Sequence, residues 1–129
     1  MSDRHLVVVS VDALVYEDLA FAATLPAFGK LLKNGARIDR VRSIYPTLTH
    51  PIHASIMTGC AAGKTGIVAN EEFIPGQLER PWFNKISQVN AETIFHAAHR
   101  AGLSTAACRW PVTAEGGDVI DYLVPEVMG

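Results

Sequence analysis

The sequence comprises 129 residues, of which 49% are hydrophobic and 19% charged, with a formal net charge of -2 at pH 7. This length suits one domain with a sizeable core, and the apolar content excludes an intrinsically disordered chain. The small negative charge gives no electrostatic case for a nucleic-acid duplex or an anionic membrane surface as a partner.

Three further features bear on the location of the protein. The sequence has no run of 18 apolar residues, so no transmembrane helix is expected. The N-terminal apolar run contains Ser10 and Asp12 and lacks a plausible cleavage site, which argues against a secretory signal. Two cysteines, Cys60 and Cys108, are too few for a disulfide framework. We therefore expect two reduced thiols in a cytoplasmic protein that does not bind membranes.

The first third of the chain predicts a strand, a helix and a second strand. The continuous β-branched run HLVVVSVDAL (5–14) is typical of a strand buried on both faces of a parallel sheet. Residues 24–35 predict a helix that Thr24 caps and that Gly35 ends. Residues 36–45 alternate in polarity and predict a strand.

The remaining elements alternate in the same way. Residues 50–59 predict a short helix opened by Pro51, and residues 90–102 predict another helix. The last two strands are predicted over residues 103–111 and 118–125. Alternating strands and helices indicate an α/β fold with a mostly parallel sheet flanked by helices.

The longest irregular stretch covers residues 71–84 and is a candidate rim of a functional site. It contains two aromatic residues, Trp82 and Phe83. They could stack on a nucleobase, and the alternative is a small satellite core.

The tripeptide Gly63-Lys64-Thr65 has the form that ends a phosphate-binding P-loop. The first glycine of that motif belongs at position 58, which is Thr58, and Gly59 makes the loop one residue short. The residues before the tripeptide predict a helix, whereas a P-loop needs a strand there and a helix afterwards. We therefore expect a helix C-terminus with a glycine-rich turn, and a nucleotide-binding P-loop is the weaker alternative.

Thr49 stands two residues ahead of Pro51, at the start of a predicted helix. A helix N-terminus carries unpaired N–H groups and a partial positive charge, both of which suit a phosphoryl group. Two interpretations are open. Thr49 is either a threonine that caps the helix or a nucleophile that attacks phosphorus.

Four parts of the sequence together resemble one family. They are Asp12 at the end of the first predicted strand, YPTLTHPIHASIMTG (45–59), GIVANE (66–71) and ETIFHAAHRAGLSTAACRWP (92–111). They resemble the type I phosphodiesterases/nucleotide pyrophosphatases of the alkaline phosphatase superfamily, from about residue 6 to about residue 112. The family's nucleophile motif has the form P-T-x-T-x-P-x-H, followed by T-G and G-I-x-x-N. The interval from Thr49 to Asn70 is 70 − 49 = 21 residues, as in the family.

The resemblance implies an alkaline phosphatase-like domain and a role for three residues. Asp12 would be a metal ligand, and Thr49 would be both the nucleophile and a metal ligand. Asn70 would bind the substrate and assist catalysis by donating its side-chain amide to a phosphoryl oxygen. The resemblance also implies two divalent metal ions, expected to be zinc, and a covalent phosphothreonine intermediate.

Several residues depart from the family pattern. Ala13 stands where the family usually has glycine, and Ile52 stands where it has asparagine. Thr65 replaces a histidine, and Leu48 occupies a place often held by lysine. These departures affect the expected substrate more than the expected reaction.

A site with two zinc ions needs about six protein ligands besides the nucleophile, and none of the five histidines matches one of the family's ligands. We interpret His96 and His99 as a solvent-facing pair on a helix, and Asp118 and Asp121 as turn and strand-edge residues. We therefore expect the chain to be the N-terminal part of one catalytic domain, with the remaining metal ligands outside it. Its sheet edge would pack against the rest of that domain or another copy.

The resulting hypothesis is metal-dependent hydrolysis of a phosphodiester or nucleotide pyrophosphate bond through a phosphothreonine intermediate on Thr49. The expected partner is a small phosphorylated substrate, either a nucleotide or a phosphodiester. One alternative is a non-catalytic subunit that binds phosphate or a nucleotide, or that serves in assembly. Another is a phosphomonoesterase or phosphonate hydrolase of the same superfamily.

Overall fold

The computed structural model describes residues 4–126. The chain divides into two compact units, with the boundary between Val41 and Arg42. None of the helices within residues 4–126 is long and apolar enough to cross a membrane.

The N-terminal unit is helical where it has regular structure. Its elements are a 3-10 turn at Tyr16–Asp18, helix α1 at Leu19–Ala22 and helix α2 at Pro26–Asn34. A proline at the first helical position lacks an N–H group that would be unpaired there in any case. The sequence therefore favours a helix that begins at Pro26, and the helix predicted over residues 24–35 is confirmed.

The predicted cap of α2 is wrong. Leu25 is the N-cap residue and makes no side-chain capping bond. The Thr24 hydroxyl instead donates to the carbonyl oxygen of Phe21 over 2.7 Å. A threonine hydroxyl close to the end of one helix can satisfy that helix's free carbonyl groups as readily as it can cap the next helix.

The strand predicted over residues 5–14 is also wrong. No strand is assigned among the described residues of this run, and Leu6 and Val7 are 76% and 80% exposed. A β-branched run becomes a strand only when neighbouring strands accept its backbone hydrogen bonds. Within residues 4–126, no strand pairs with this run.

The strand predicted over residues 36–45 is irregular as well. Ile38 and Val41 would lie on opposite faces of such a strand, and they are 78% and 80% exposed, so neither face is covered. Alternating polarity indicates a strand only where one face is buried. That condition is not met here, so the alternation does not produce a strand.

The C-terminal unit combines helices with a small sheet. Its helices are α3 at Thr49–Thr58, α4 at Ala62–Thr65 and α5 at Ile94–Arg100, with a 3-10 turn at Ile86–Gln88. Strands β1, Ala106–Cys108, and β2, Tyr122–Val124, are parallel, and Ala107 is opposite Leu123. The helix predicted over residues 50–59 is confirmed one residue earlier, and the helix predicted over 90–102 and the strands predicted over 103–111 and 118–125 are confirmed with shorter bounds.

Two neighbouring apolar clusters form the core of this unit. One contains Ala54 and Met57 of α3 with Ile67 and Val112. The other contains Ile86, Ala107 and Ile120. Phe95 and Trp110 pack against both clusters, and α3 is thereby fixed against the rest of the unit.

Candidate functional site

The site is built at the first turn of α3. Leu48 is extended, with φ -128° and ψ 156°, and the helix begins at Thr49. Pro51 lies in the first turn, where its missing N–H removes one of the groups that a helix start leaves unpaired. His50, Ala54 and Met57 lie on the buried side of the helix. This burial holds the first turn against the core.

The segment after α3 carries Asn70 back to the start of the same helix. Gly59 and Gly66 have φ of +67° and +79°, a left-handed conformation that favours glycine and ends α3 and α4. Ile67 is fully buried in the same cluster as Met57. From that buried residue the chain runs three residues to Asn70, which explains why Thr49 and Asn70 come together although they are 21 residues apart.

A hydrogen bond fixes the orientation of the Asn70 side chain. The backbone N–H of His50 donates to Asn70 Oδ1 over 3.0 Å. A backbone N–H only donates, so the accepting atom must be the amide oxygen. The Nδ2 group, with two N–H donors, therefore remains available to a ligand, since the described residues offer it no hydrogen-bond partner.

Thr49 is half-buried beside this amide. The hydroxyl makes no capping bond, because Leu48 and not Thr49 occupies the cap position. Among the described residues, neither the Thr49 hydroxyl nor its backbone N–H has a hydrogen-bond partner. The interpretation of Thr49 as a capping threonine is therefore wrong.

His53, one turn along α3, braces the Thr49 backbone. Its Nδ1 lies 2.8 Å from the Thr49 carbonyl oxygen, and since a carbonyl only accepts, Nδ1 carries the proton. The His53 ring also meets the Trp110 ring edge-on, with centroids 5.1 Å apart. These two contacts fix the His53 ring between the first turn of α3 and Trp110.

His50 lies at the candidate site but was not among the residues predicted from the sequence. Its side chain is 1% exposed, and its ring lies 5.1 Å from that of Trp82, between centroids. Burial lowers the pKa of His50 below its usual value of 6.5, and the nearby carboxylate of Glu126 partly opposes that shift. The spacing of His50, Ala54 and Met57, at i, i+4 and i+7, could have predicted this burial.

The irregular stretch 71–84 borders the site as expected, but it is partly paired. An isolated antiparallel bridge joins Glu71 to Trp82, and Phe83 N–H donates to the Asn70 carbonyl oxygen over 2.9 Å. Trp82 lies against His50, next to the start of α3. Phe83 packs on the α3 core cluster, which confirms the satellite-core alternative for this residue.

Asp12 belongs to the N-terminal unit and lies in a turn, not at a strand end. Its Oδ1 accepts the N–H of Ala13 over 2.9 Å, and Ala13 has a φ of +58°. The structure therefore brings Thr49 and Asn70 together, while the role of Asp12 remains a prediction.

The oxygen donors Asp12 and Thr49 suit a divalent cation by their chemistry, but two donors do not make a metal centre. Within residues 4–126, no three His, Cys, Asp or Glu side chains converge. Asp121 has a structural role instead, since its Oδ2 accepts the Thr105 N–H over 2.7 Å. His96 is likewise engaged locally, with Nδ1 2.7 Å from Thr93 Oγ1.

The Gly63-Lys64-Thr65 tripeptide lies within the short helix α4 and leads into the left-handed turn at Gly66. In a P-loop the same residues would open a helix and surround a phosphate. The structure therefore confirms a helix end with a glycine-rich turn.

Comparison with known proteins agrees with this geometry. A model of the family described as type I phosphodiesterase / nucleotide pyrophosphatase matches residues 6–127. Human ectonucleotide pyrophosphatase/phosphodiesterase family member 5 is 28% identical over 116 residues, which are 85% of this chain and 24% of that protein. Human member 1 is 31% identical over 109 residues, which are 80% of this chain and 11% of that protein.

The structure of murine ectonucleotide pyrophosphatase/phosphodiesterase 5 superimposes with a TM-score of 0.61 at 29% identity. The match covers 84% of this chain and 30% of the murine chain. The fold is thus α/β, of the alkaline phosphatase-like kind, and the chain spans less than a third of these relatives. The chain belongs to the type I phosphodiesterase / nucleotide pyrophosphatase family.

Proposed function

We propose that the protein hydrolyses a phosphodiester or nucleotide pyrophosphate bond in a small phosphorylated substrate, with Thr49 as the nucleophile. One observation carries this proposal. At the start of α3 the hydroxyl and N–H of Thr49, which have no hydrogen-bond partner within residues 4–126, lie beside Asn70, and the His50 N–H orients the Asn70 amide so that Nδ2 is available.

In the first step the Thr49 oxygen attacks phosphorus. A Thr49 Oγ1–P bond forms and the hydroxyl proton passes to solvent, while the bond from phosphorus to the leaving-group oxygen breaks with its electron pair on that oxygen. Asn70 Nδ2 and the Thr49 N–H donate to the non-bridging phosphoryl oxygens as negative charge develops there. One such donor contributes about 3 kcal/mol of barrier lowering in oxyanion sites.

In the second step water attacks phosphorus from the side opposite to Thr49 Oγ1, and the Thr49 Oγ1–P bond breaks. The proton from water returns the threonine to its hydroxyl form. The same donors serve both steps, because the charge develops on the same oxygens. The positive end of α3, a helix of 10 residues, favours this charge throughout.

Two divalent ions, expected to be zinc, would stabilise the Thr49 alkoxide when bound. Asp12 and Thr49 are the ligands that this chain would supply, and the other ligands would lie outside it. A second murine structure of member 5 is described as the inactive form with a threonine-to-alanine substitution, in complex with AMP. An inactivating loss of a threonine in that protein supports a threonine nucleophile here, and AMP in its site supports a nucleotide substrate.

The test compares Thr49→Ala and Thr49→Ser in the full chain with zinc present, using bis(4-nitrophenyl) phosphate as substrate. We expect Thr49→Ala to lose turnover completely, while Thr49→Ser retains measurable turnover because it keeps an attacking hydroxyl. Thr47→Ala is the matched control, since the Thr47 hydroxyl only donates to the Ile44 carbonyl oxygen over 2.9 Å. Turnover by Thr49→Ala at the wild-type rate would contradict the proposal.

The same donors would also hold a phosphate group without any chemistry, which is the alternative of a non-catalytic binding subunit. AMP binding separates the two: a binding subunit binds AMP without turning over any ester, and Thr49→Ala then lowers only its affinity. A phosphomonoesterase or phosphonate hydrolase would instead turn over 4-nitrophenyl phosphate or an aryl phosphonate faster than the diester.

A further inference from the structure

His50 and Glu126 form a buried polar pair that the proposed reaction does not use. The His50 side chain is 1% exposed, and neither of its ring nitrogens has a hydrogen-bond partner among the described residues. Glu126 follows β2, and its Oε2 is also buried and has no hydrogen-bond partner within residues 4–126. Unpaired buried polar atoms are rare in folded proteins, so two of them facing each other require an explanation.

The geometry suits a link between the two side chains. His50 Nε2 and Glu126 Oε2 are 3.7 Å apart, within ion-pair distance but longer than a direct hydrogen bond. An imidazole N–H and a carboxylate oxygen are complementary as donor and acceptor. A small approach of the two side chains, or one bridging water, would satisfy both atoms.

The position of His50 gives this link a consequence for the site. Its backbone N–H holds Asn70 Oδ1, and Thr49 precedes it in the first turn of α3. A movement of His50 therefore displaces Thr49 and turns the Asn70 amide. Trp82 packs on the ring and limits such movement on one side, and Glu126 would limit it on another.

We propose that Glu126 is a positioning residue that acts through the His50 ring, and that it fixes the first turn of α3 so that Thr49 and Asn70 face the same phosphoryl group. This inference rests on the proposed function for its catalytic consequence. The link itself is a property of the folded chain and can be observed without any turnover.

The test uses the full chain with Glu126→Ala and Glu126→Gln. Glutamine keeps a side-chain oxygen that accepts from Nε2–H, whereas alanine removes it. Glu79→Ala, at an exposed position, is the matched control. The first readout is the nitrogen-15 NMR signals of the His50 ring, together with the His50 backbone amide and the Asn70 side-chain amide. The second is kcat and KM for bis(4-nitrophenyl) phosphate.

We expect Glu126→Ala to shift all three NMR signals and to lower kcat about 10- to 100-fold with little change in KM, because the reacting groups are misplaced. Glu126→Gln should restore the signals and most of kcat. If Glu126→Ala leaves the His50 and Asn70 signals unchanged, or if Glu126→Gln behaves like Glu126→Ala, the inference is wrong. If wild type shows no turnover and Glu126→Ala still shifts the signals, the link is supported and only the proposed function fails.

Discussion

Substitution of Asn70 by alanine and by aspartate separates the two roles of this side chain. Its Oδ1 accepts the His50 N–H over 3.0 Å in a half-buried position, and its Nδ2 is the donor proposed for the substrate. Alanine removes both atoms. Aspartate keeps the acceptor and replaces the donor by a second, negatively charged oxygen.

The expected effects on stability differ in sign. Asn70→Ala leaves a backbone N–H unpaired, which costs about 1 kcal/mol at a half-buried position. In a domain of this size, that corresponds to a fall of about 4 °C in Tm. Asn70→Asp retains the bond and adds negative charge at the positive end of α3, which stabilises by about 0.3–1 kcal/mol.

The expected effects on turnover are alike. Both variants lose the Nδ2 donor, so we expect kcat to fall by about 10²–10³-fold in each. In Asn70→Asp a carboxylate also repels the substrate phosphate. The assay is urea or thermal unfolding without metal, followed by hydrolysis of bis(4-nitrophenyl) phosphate with zinc. Asn34→Ala, at an exposed residue at the end of α2, is the control.

Two results would refute the reasoning. If Asn70→Asp destabilises the chain as much as Asn70→Ala, the hydrogen bond to His50 does not determine the orientation of the amide. If Asn70→Asp retains wild-type turnover, the Nδ2 group is not a donor to the substrate.

Three further predictions concern the surroundings of the site. Gly66→Ala should lower the free energy of unfolding in urea by about 1–2 kcal/mol, because the φ of Gly66 is +79°. Gly63→Ala should be neutral or stabilising, because an added Cβ would meet no atom within 4 Å. Equal effects of the two substitutions would contradict this prediction. Burial lowers the pKa of His50 in the folded chain, so as pH falls the unfolded chain binds a proton at a higher pH than the folded chain does. The free energy of unfolding should therefore decrease as pH falls from about 6.5 to the lower pKa of the folded state. This decrease should be smaller in His50→Gln, and an identical pH profile would show that His50 is not responsible. Lys64→Ala should leave AMP binding unchanged in calorimetry, because Lys64 lies in α4 and not in a P-loop, and a loss of binding would restore that alternative.

Helices were predictable from this sequence because their ends are marked locally. Pro26 opens α2, and Gly59 and Gly102 adopt the left-handed conformation just beyond α3 and α5. Such signals act within a few residues and do not depend on the rest of the fold. The bounds were therefore close even though two predicted strands were wrong.

Strands were less predictable because they depend on distant partners. The runs at 5–14 and 36–45 have the composition of strands, but in the described part of the chain no strand pairs with them. Residues 106–108 and 122–124 hydrogen-bond to each other as a pair of parallel strands. The expected packing of the sheet against the rest of a domain or another copy stays a prediction, as does the cytoplasmic location.

The candidate site was predictable in part. The resemblance to the family's motif implied that Thr49 and Asn70 act together, and in the structure Asn70 accepts the N–H of His50, the residue after Thr49. The contributions of His50 and Glu126 were not predictable, because Glu126 is 76 residues further along the chain (126 − 50) and only the fold makes them neighbours.

The most direct test of the central role of Thr49 is to trap the covalent intermediate. The full chain is mixed with bis(4-nitrophenyl) phosphate and zinc, quenched in acid within milliseconds, digested and analysed by mass spectrometry. We predict one 4-nitrophenyl phosphoryl group on the peptide that contains Thr49, and none on the same peptide from Thr49→Ala. Turnover without an adduct on Thr49, or an adduct on another residue, would contradict a threonine nucleophile at the start of α3.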